Sequence, residues 1–177
     1  DILVQRGQLD EALHIRIQEE LPVLREIGDR REATLTQSKI ADTLINRGQL
    51  DEALRILTEE QLPTFRELGD RRSIALTQGQ IADILVHRGQ LDEALPIRTQ
   101  EELPVLRELG DRRSIAITQS NIADILVQRG QLDEALRIRT QEELPVYREL
   151  GDRRSIAITQ GKIADIYTKL NSARAYV

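Results

Sequence analysis

Gly89-Gln90-Leu91-Asp92-Glu93-Ala94-Leu95 decides the fold, because the same seven residues also begin at Gly7, Gly48 and Gly130, always 41 residues apart. A second marker, Gly-Asp-Arg-Arg, recurs at Gly28, Gly69, Gly110 and Gly151 with the same period. Residues 89–129 and 130–170 are identical at 33 of 41 positions. A fixed period of this size is the mark of a repeat architecture, each repeat being one supersecondary unit. Self-similarity this close follows from recent duplication or from consensus design.

Within a repeat, two glycines separate two helical segments. From Asp70 to Arg88, the residues Ile74, Ile81, Ala82, Ile84 and Leu85 recur at helical spacing. Gly89 follows as a left-handed C′ residue, and Asp70, just after Gly69, is the natural N-cap. We term this segment helix A. Helix B then spans about Leu91 to Leu109, with Asp92 and Glu93 at the positive end of its dipole. Its apolar stripe is Leu91, Ala94, Leu95, Leu103, Leu106 and Leu109. Neither helix can bury its stripe alone, so the hairpins must stack.

Pro22, Pro63, Pro104 and Pro145 occupy one column inside helix B. An interior proline removes a backbone hydrogen bond and costs roughly 3 kcal/mol when unaccommodated. Helix B is therefore expected to bend there, leaving the carbonyls near Gln18, Glu59, Gln100 and Gln141 to water. A short third helix starting at the proline is the alternative. No Gly or Asx cap precedes the proline, which favours the bend.

The 177 residues are 40% hydrophobic and 31% charged, which describes a folded rather than a disordered chain. Aromatics make up only 2%, so the core must be Leu, Ile, Val and Ala in thin helix-on-helix layers. Cysteine is absent, which excludes disulfides, thiolate metal sites and a cysteine nucleophile. That fits a reducing compartment, and a cytoplasmic location is expected. The net charge of −5 without a basic run makes nucleic acid a poor partner. No apolar stretch reaches the roughly 20 residues that span a bilayer, so no membrane partner is expected. Residues 1–6, Asp-Ile-Leu-Val-Gln-Arg, read as the second half of a helix A, as in a segment cut from a longer protein.

The run Arg-Gly-Gln-Leu-Asp-Glu-Ala-Leu resembles the helix A–helix B junction of tetratricopeptide repeats, here in a long variant and four times in register. The usual period is 34 residues, and seven more amount to about one extra turn per helix. The family's small residue near the middle of helix A matches Ala41, Ala82, Ala123 and Ala164. Its large aromatics do not match: four residues after the junction alanine stand Arg16, Leu57, Arg98 and Arg139. The resemblance implies an all-α, right-handed superhelical solenoid of antiparallel helix hairpins. It also implies a setting in large signalling proteins, beside nucleotide-switch ATPase or caspase-like peptidase domains. We expect one array over 1–177: repeats 7–47, 48–88, 89–129 and 130–170, a partial helix 1–6 and a tail 171–177.

In the family, helix A lines a concave groove. Carried over by column, its positions give four ladders here. They are Leu35, Leu76, Ile117 and Ile158; Ser38, Gly79, Ser120 and Gly161; Asp42, Asp83, Asp124 and Asp165; and Asn46, His87, Gln128 and Lys169. The resemblance implies a protein-interaction scaffold, and the Asp ladder gives it an acidic stripe for a basic peptide. Related arrays that grip a C-terminal carboxylate use Asn and basic residues there, so four Asp argue against that ligand. The alternative is that each Asp pairs with a nearby cation, as Lys39 to Asp42 and Lys162 to Asp165 at helical spacing suggest. The small ladder suggests close backbone approach, by a neighbouring helix or by a ligand. The Arg pairs, such as Arg71-Arg72 and Arg112-Arg113, are read as a salt-bridged edge rather than a phosphate site.

Catalysis is not expected. The only histidines, His14 and His87, fall in different columns. Equivalent Asp residues on packed helices sit roughly 8–10 Å apart, too far to share a metal ion. No glycine loop cradles phosphate, so neither cofactor nor metal is expected. Asn171 stands where the next glycine belongs and is expected to take the left-handed C′ conformation. Neither end of the array has a polar cap, so weak end-to-end self-association is expected. The alternative function is therefore an assembly segment that contacts copies of itself or neighbouring domains of its own protein.

Overall fold

A computed structural model describes residues 8–175, with side chains to residue 172. The expected partial helix 1–6, Gly7 and the last two residues of the tail lie outside the described residues. The chain falls into two compact units, one up to Ile84 and one from Leu85. The first contains α1 (9–26), α2 (Arg30–Asn46), α3 (50–67) and most of α4 (Arg71–His87). The second contains α5 (91–108), α6 (Arg112–Gln128), α7 (132–149) and α8 (Arg153–Ala175). Odd-numbered helices are the B type and even-numbered helices the A type. There is no strand among the described residues.

The corners form as the two glycine columns require. Gly89 has φ 74°, which an L side chain rarely adopts. Its N–H donates to the Val86 carbonyl at 2.9 Å, and the Gln90 N–H donates to Leu85 at 2.8 Å. Those are the two bonds of a Schellman ending. Gly69 repeats the pattern, with Asp70 N–H donating to Phe65 at 3.0 Å. The Asp70 carboxylate then accepts the Ser73 N–H at 3.0 Å and the Ser73 hydroxyl at 2.9 Å. One residue thus closes α3 and caps α4, which is why the corner needs no further loop. Asp29, Asp111 and Asp152 cap α2, α6 and α8 the same way, each accepting the N–H three residues on at 3.1 Å.

Small residues set the helix spacing. Ala41, Ala53, Ala82, Ala94, Ala123 and Ala135 are all fully buried. In the second unit Ala123 and Ala135 sit with Leu103, Ile122, Leu126, Ile138 and Ile166 in one cluster shared by α5, α6, α7 and α8. Ile81, Ile84 and Leu85 of the expected helix A stripe are buried, as are Leu103 and Leu106 of the helix B stripe. Leu109 is not: it is 45% exposed, as are its counterparts Ile27, Leu68 and Leu150 to similar extents. This column is the C-cap, where the chain has already rotated toward the glycine.

Every B-type helix runs without a break but changes its winding before the proline. In α5 the α-helical Leu91–Pro96 passes into a π-helical Ile97–Glu102 and back to α-helical Leu103–Glu108. The same switch occupies Arg16–Glu20, Ile56–Gln61 and Arg139–Glu143. A proline ring would press on the carbonyl four residues back in an α-helix; one widened turn moves that carbonyl away. The third-helix alternative is thereby set aside, and the widened turn is the device that sequence reading did not foresee. It also brings residues five apart to one side: Arg55 reaches Glu60 at 3.1 Å and Arg137 reaches Glu142 at 2.8 Å.

The expected left-handed ending at Asn171 does not occur. Helix α8 continues through it to Ala175, and no described non-glycine residue has positive φ. Asparagine tolerates that conformation but does not favour it as glycine does. Beyond it lies Ser-Ala-Arg-Ala rather than the Leu-Asp-Glu-Ala-Leu stripe that folds the chain back elsewhere.

Candidate protein-interaction face

The carried-over columns fall on the A-type helices of both units, and each unit is described in turn. In the second unit, Ile117 and Ile158 are 46% and 49% exposed, large apolar residues left open on α6 and α8. Asp124 lies two turns beyond Ile117, and the Lys162 ammonium of α8 donates to its carboxylate at 2.7 Å. That bond fixes the two helices side by side with their apolar residues on the same face. A shallow cleft of about 110 Å³ beside it is lined by Asp124, Arg139, Lys162, Asp165 and Lys169, among others. Gln128 is exposed and Ser120 half-buried. In the first unit, Leu35, Leu76, Ser38 and Asp83 are half-buried, Gly79 is buried, and Asp42 and Asn46 are exposed. His87 is also exposed.

The Asp column is less open than its spacing suggests. The Gln80 amide donates to Asp42 at 2.5 Å, from the helix one repeat on. Asp124 accepts from both Arg139 at 2.5 Å and Lys162 at 2.7 Å. Lys39 and Lys162 therefore do not pair along their own helices, as helical spacing suggested. Lys162 reaches back to Asp124, and Lys39 approaches Glu20 at 3.9 Å. The Asp42 carboxyl is pushed above its ordinary pKa: burial raises it, the Gln80 bond and Arg16 lower it, and Asp83 raises it.

The small column has no single cause. The Ser120 hydroxyl accepts from Arg139 at 3.3 Å, and the Ser38 hydroxyl donates to Gln61 at 3.1 Å. A Cβ at Gly161 would meet nothing within 4 Å, so neither a neighbouring helix nor a close backbone requires glycine there.

Sequence reading missed the charges inside. Arg139 and Glu143 are 1% and 2% exposed and bond at 2.8 Å, one helical turn apart. Arg98 and Glu102 repeat the pair at 2.6 Å. Each Glu also accepts a hydroxyl from the next A-type helix: Thr36 to Glu20 at 2.8 Å, Thr118 to Glu102 at 2.9 Å, Thr159 to Glu143 at 2.7 Å. Arg16 donates to the Thr43 hydroxyl at 2.9 Å and the Lys39 carbonyl at 3.3 Å. The second repeat replaces both partners together, with Leu57 and Gln61, each fully buried. That joint replacement was the available signal, since an unpaired buried charge is far costlier than a pair.

A larger cleft of about 350 Å³ lies in the first unit between α1, α2 and α3. Its charged groups satisfy one another: Glu60 accepts from Arg25 at 3.3 Å, from Arg55 at 3.1 Å and from the Gln37 amide. Among the described residues no three His, Cys, Asp or Glu side chains are placed to hold a metal ion. No described helix is long and apolar enough to cross a membrane.

No family model matches this chain, and no curated protein does. Solved structures do. A Podosopora anserina kinesin light chain-like protein of nearly identical TPR-like repeats is 18% identical with a TM-score of 0.66, over 95% of this chain and 91% of that one. BtubC (BKLC) from P. vanneervenii is 15% identical with a TM-score of 0.54, over 96% and 91%. The fold is thus a TPR-like, all-α solenoid of tandem helical hairpins.

Proposed function

We propose that this chain is a non-catalytic protein-interaction scaffold that receives an extended protein segment on its A-type helices. The observation that carries this is the pair Ile117 and Ile158. Two large apolar side chains stand half exposed at equivalent positions of neighbouring helices, on a face otherwise made of polar and small residues. Exposed apolar surface rimmed by polar groups is characteristic of recognition sites. An extended segment would lay alternate side chains along such a ladder.

Charge gives the reading its direction. On the first unit, Asp42 is exposed and feels the charge of Asp83, so a basic side chain beside Asp42 would relieve it. On the second unit Asp124 is already neutralised by Arg139 and Lys162. The preferred ligand of the second unit is therefore apolar where it meets Ile117 and Ile158, with Ser120 giving it room, and that of the first unit is basic where it meets Asp42, with Ser38 and Gly79 giving it room.

The test is capture of partners from the source lysate by the parent chain, by Ile117→Asp with Ile158→Asp, and by Asp42→Lys with Asp83→Lys. Asp124 is left alone, because reversing it would strand buried Arg139. A partner held by the parent and lost by both variants supports the reading. A partner held equally by all three refutes it.

A further inference from the structure

The cleft between α1, α2 and α3 departs from the repeat at positions where the rest of the array agrees. Its floor is Ala33, Thr34 and Gln37 of α2, all buried. Leu24 and Arg25 of α1 form one wall, and Glu59, Glu60, Pro63 and Thr64 of α3 form the other. Ala33 stands where the other repeats have Ile74, Ile115 and Ile156, and Thr34 where they have Ala75, Ala116 and Ala157. Thr64 takes the place of Val23, Val105 and Val146, and Glu59 that of Gln18, Gln100 and Gln141. One departure shortens the floor, two add hydroxyls and one adds a negative charge. At the corresponding joint of the second unit, Ile115 packs against the core. The space in the first unit, about 350 Å³, is the size of a small-molecule site.

The polar groups of this cleft leave acceptors unused. The Thr34 hydroxyl donates to the Arg30 carbonyl at 2.7 Å, and the Thr64 hydroxyl to the Glu60 carbonyl at 2.8 Å. Each hydroxyl hydrogen is thus spent within its own helix, and each oxygen can only accept from the cleft. Both arginines of the lining already have a carboxylate, Arg25 that of Glu60 and Arg30 that of Glu67. Glu60 is held further by Arg55 and by the Gln37 amide. Glu59 stands outside this exchange: it is exposed at the rim and forms no ion pair with a described residue. An unmatched carboxylate, two accepting hydroxyls and the apolar surface of Leu24, Ala33 and Pro63 are the complement of a cation with a hydrocarbon body.

We propose that this cleft binds a small aliphatic ammonium ion. The alkyl body lies on Leu24, Ala33 and Pro63. The ammonium donates to the Glu59 carboxylate and the Thr64 hydroxyl, which share the α3 wall. An ammonium has three donors and no acceptor, as those groups require. A primary alkylamine keeps that charge at neutral pH, as a lysine side chain does. Arg25 and Arg30 oppose it little, because each is compensated by its own carboxylate.

Titration of butylamine into the isotope-labelled chain, at neutral pH and low salt, reads the site through its amide chemical shifts. The amides of Ala33, Thr34 and Thr64 should shift together and saturate. The dissociation constant should be millimolar, because the ion pair stays partly solvated. Butanol and butyrate keep the body and change the head, and each should bind at least about fivefold more weakly. Two variants restore residues that the array accommodates elsewhere. Glu59→Gln removes the charge and should weaken butylamine binding about fivefold. Ala33→Ile with Thr64→Val refills the cleft and should abolish saturable binding. Butylamine that shifts none of these amides well above millimolar concentration overturns the proposal. So does butanol or butyrate that binds as tightly, or either variant binding butylamine as the parent does. Each outcome concerns the first unit alone, whereas Ile117 and Ile158 belong to the second.

Discussion

Arg139 and Glu143 show how a residue's neighbours decide what its charge means. Each is buried, and each has two or more polar partners, so the pair is tolerated where a lone charge would not be. Glu143→Ala should cost roughly 3–5 kcal/mol, because it breaks a buried ion pair and leaves Arg139 only Asp124 and Ser120. The double change Arg139→Leu with Glu143→Gln should be near neutral or stabilising, since well-packed isosteres often equal a buried ion pair. The second repeat already carries that solution as Leu57 and Gln61. Urea denaturation of the two variants checks it, and a double change as damaging as the single one would contradict the account. In the sequence only the joint replacement by Leu57 and Gln61 hinted at this, because charged residues on an amphipathic helix otherwise read as solvent-facing. The Asp column was legible as one position of each A-type helix. Its partners were not, because Lys162 and Gln80 come from helices 38 residues further on and no spacing rule along one helix can find them.

At the scale of the element, the helix ends were readable and the helix interior was not. Gly89 and Asp70 announce their conformations through chemistry that is local to three or four residues. The widened turn before Pro104 depends on a whole helix staying continuous under the pull of its buried stripe, and no residue in it signals the change. The caps carry a pH signature. Asp70 has its pKa lowered, first by the Ser73 backbone N–H, against the raising effect of burial, with the Ser73 hydroxyl and Arg31 assisting. A carboxyl held low in the folded chain stabilises it in full above the ordinary value of 3.8, and that contribution fades as pH falls through the lowered pKa. Asp70→Ala should therefore cost about 1 kcal/mol at neutral pH. The difference from the parent should narrow on acidification. Thermal melts at neutral and strongly acid pH measure both, and a gap that does not change with pH would remove the carboxylate from the explanation.

For the whole molecule, repetition means that one solution to a packing problem is written several times. The period, the hairpins and the groove columns all followed from that repetition. The sequence concealed the ion-pair ladders between successive repeats, such as Arg25 with Glu60 and Arg107 with Glu142, because pairing partners become visible only once helices are placed side by side. The Ile117 and Ile158 face relies on apolar burial, which salt does not weaken and which excluded salts strengthen. Binding across it should therefore hold or tighten as sodium sulfate is raised. Attraction between exposed charges is screened beyond about 8 Å at physiological ionic strength, so a contact governed by charge would weaken over the same range. Fluorescence anisotropy of a captured partner's segment measures this, and binding that falls away as sulfate rises would mean that charge, and not apolar burial, holds the segment.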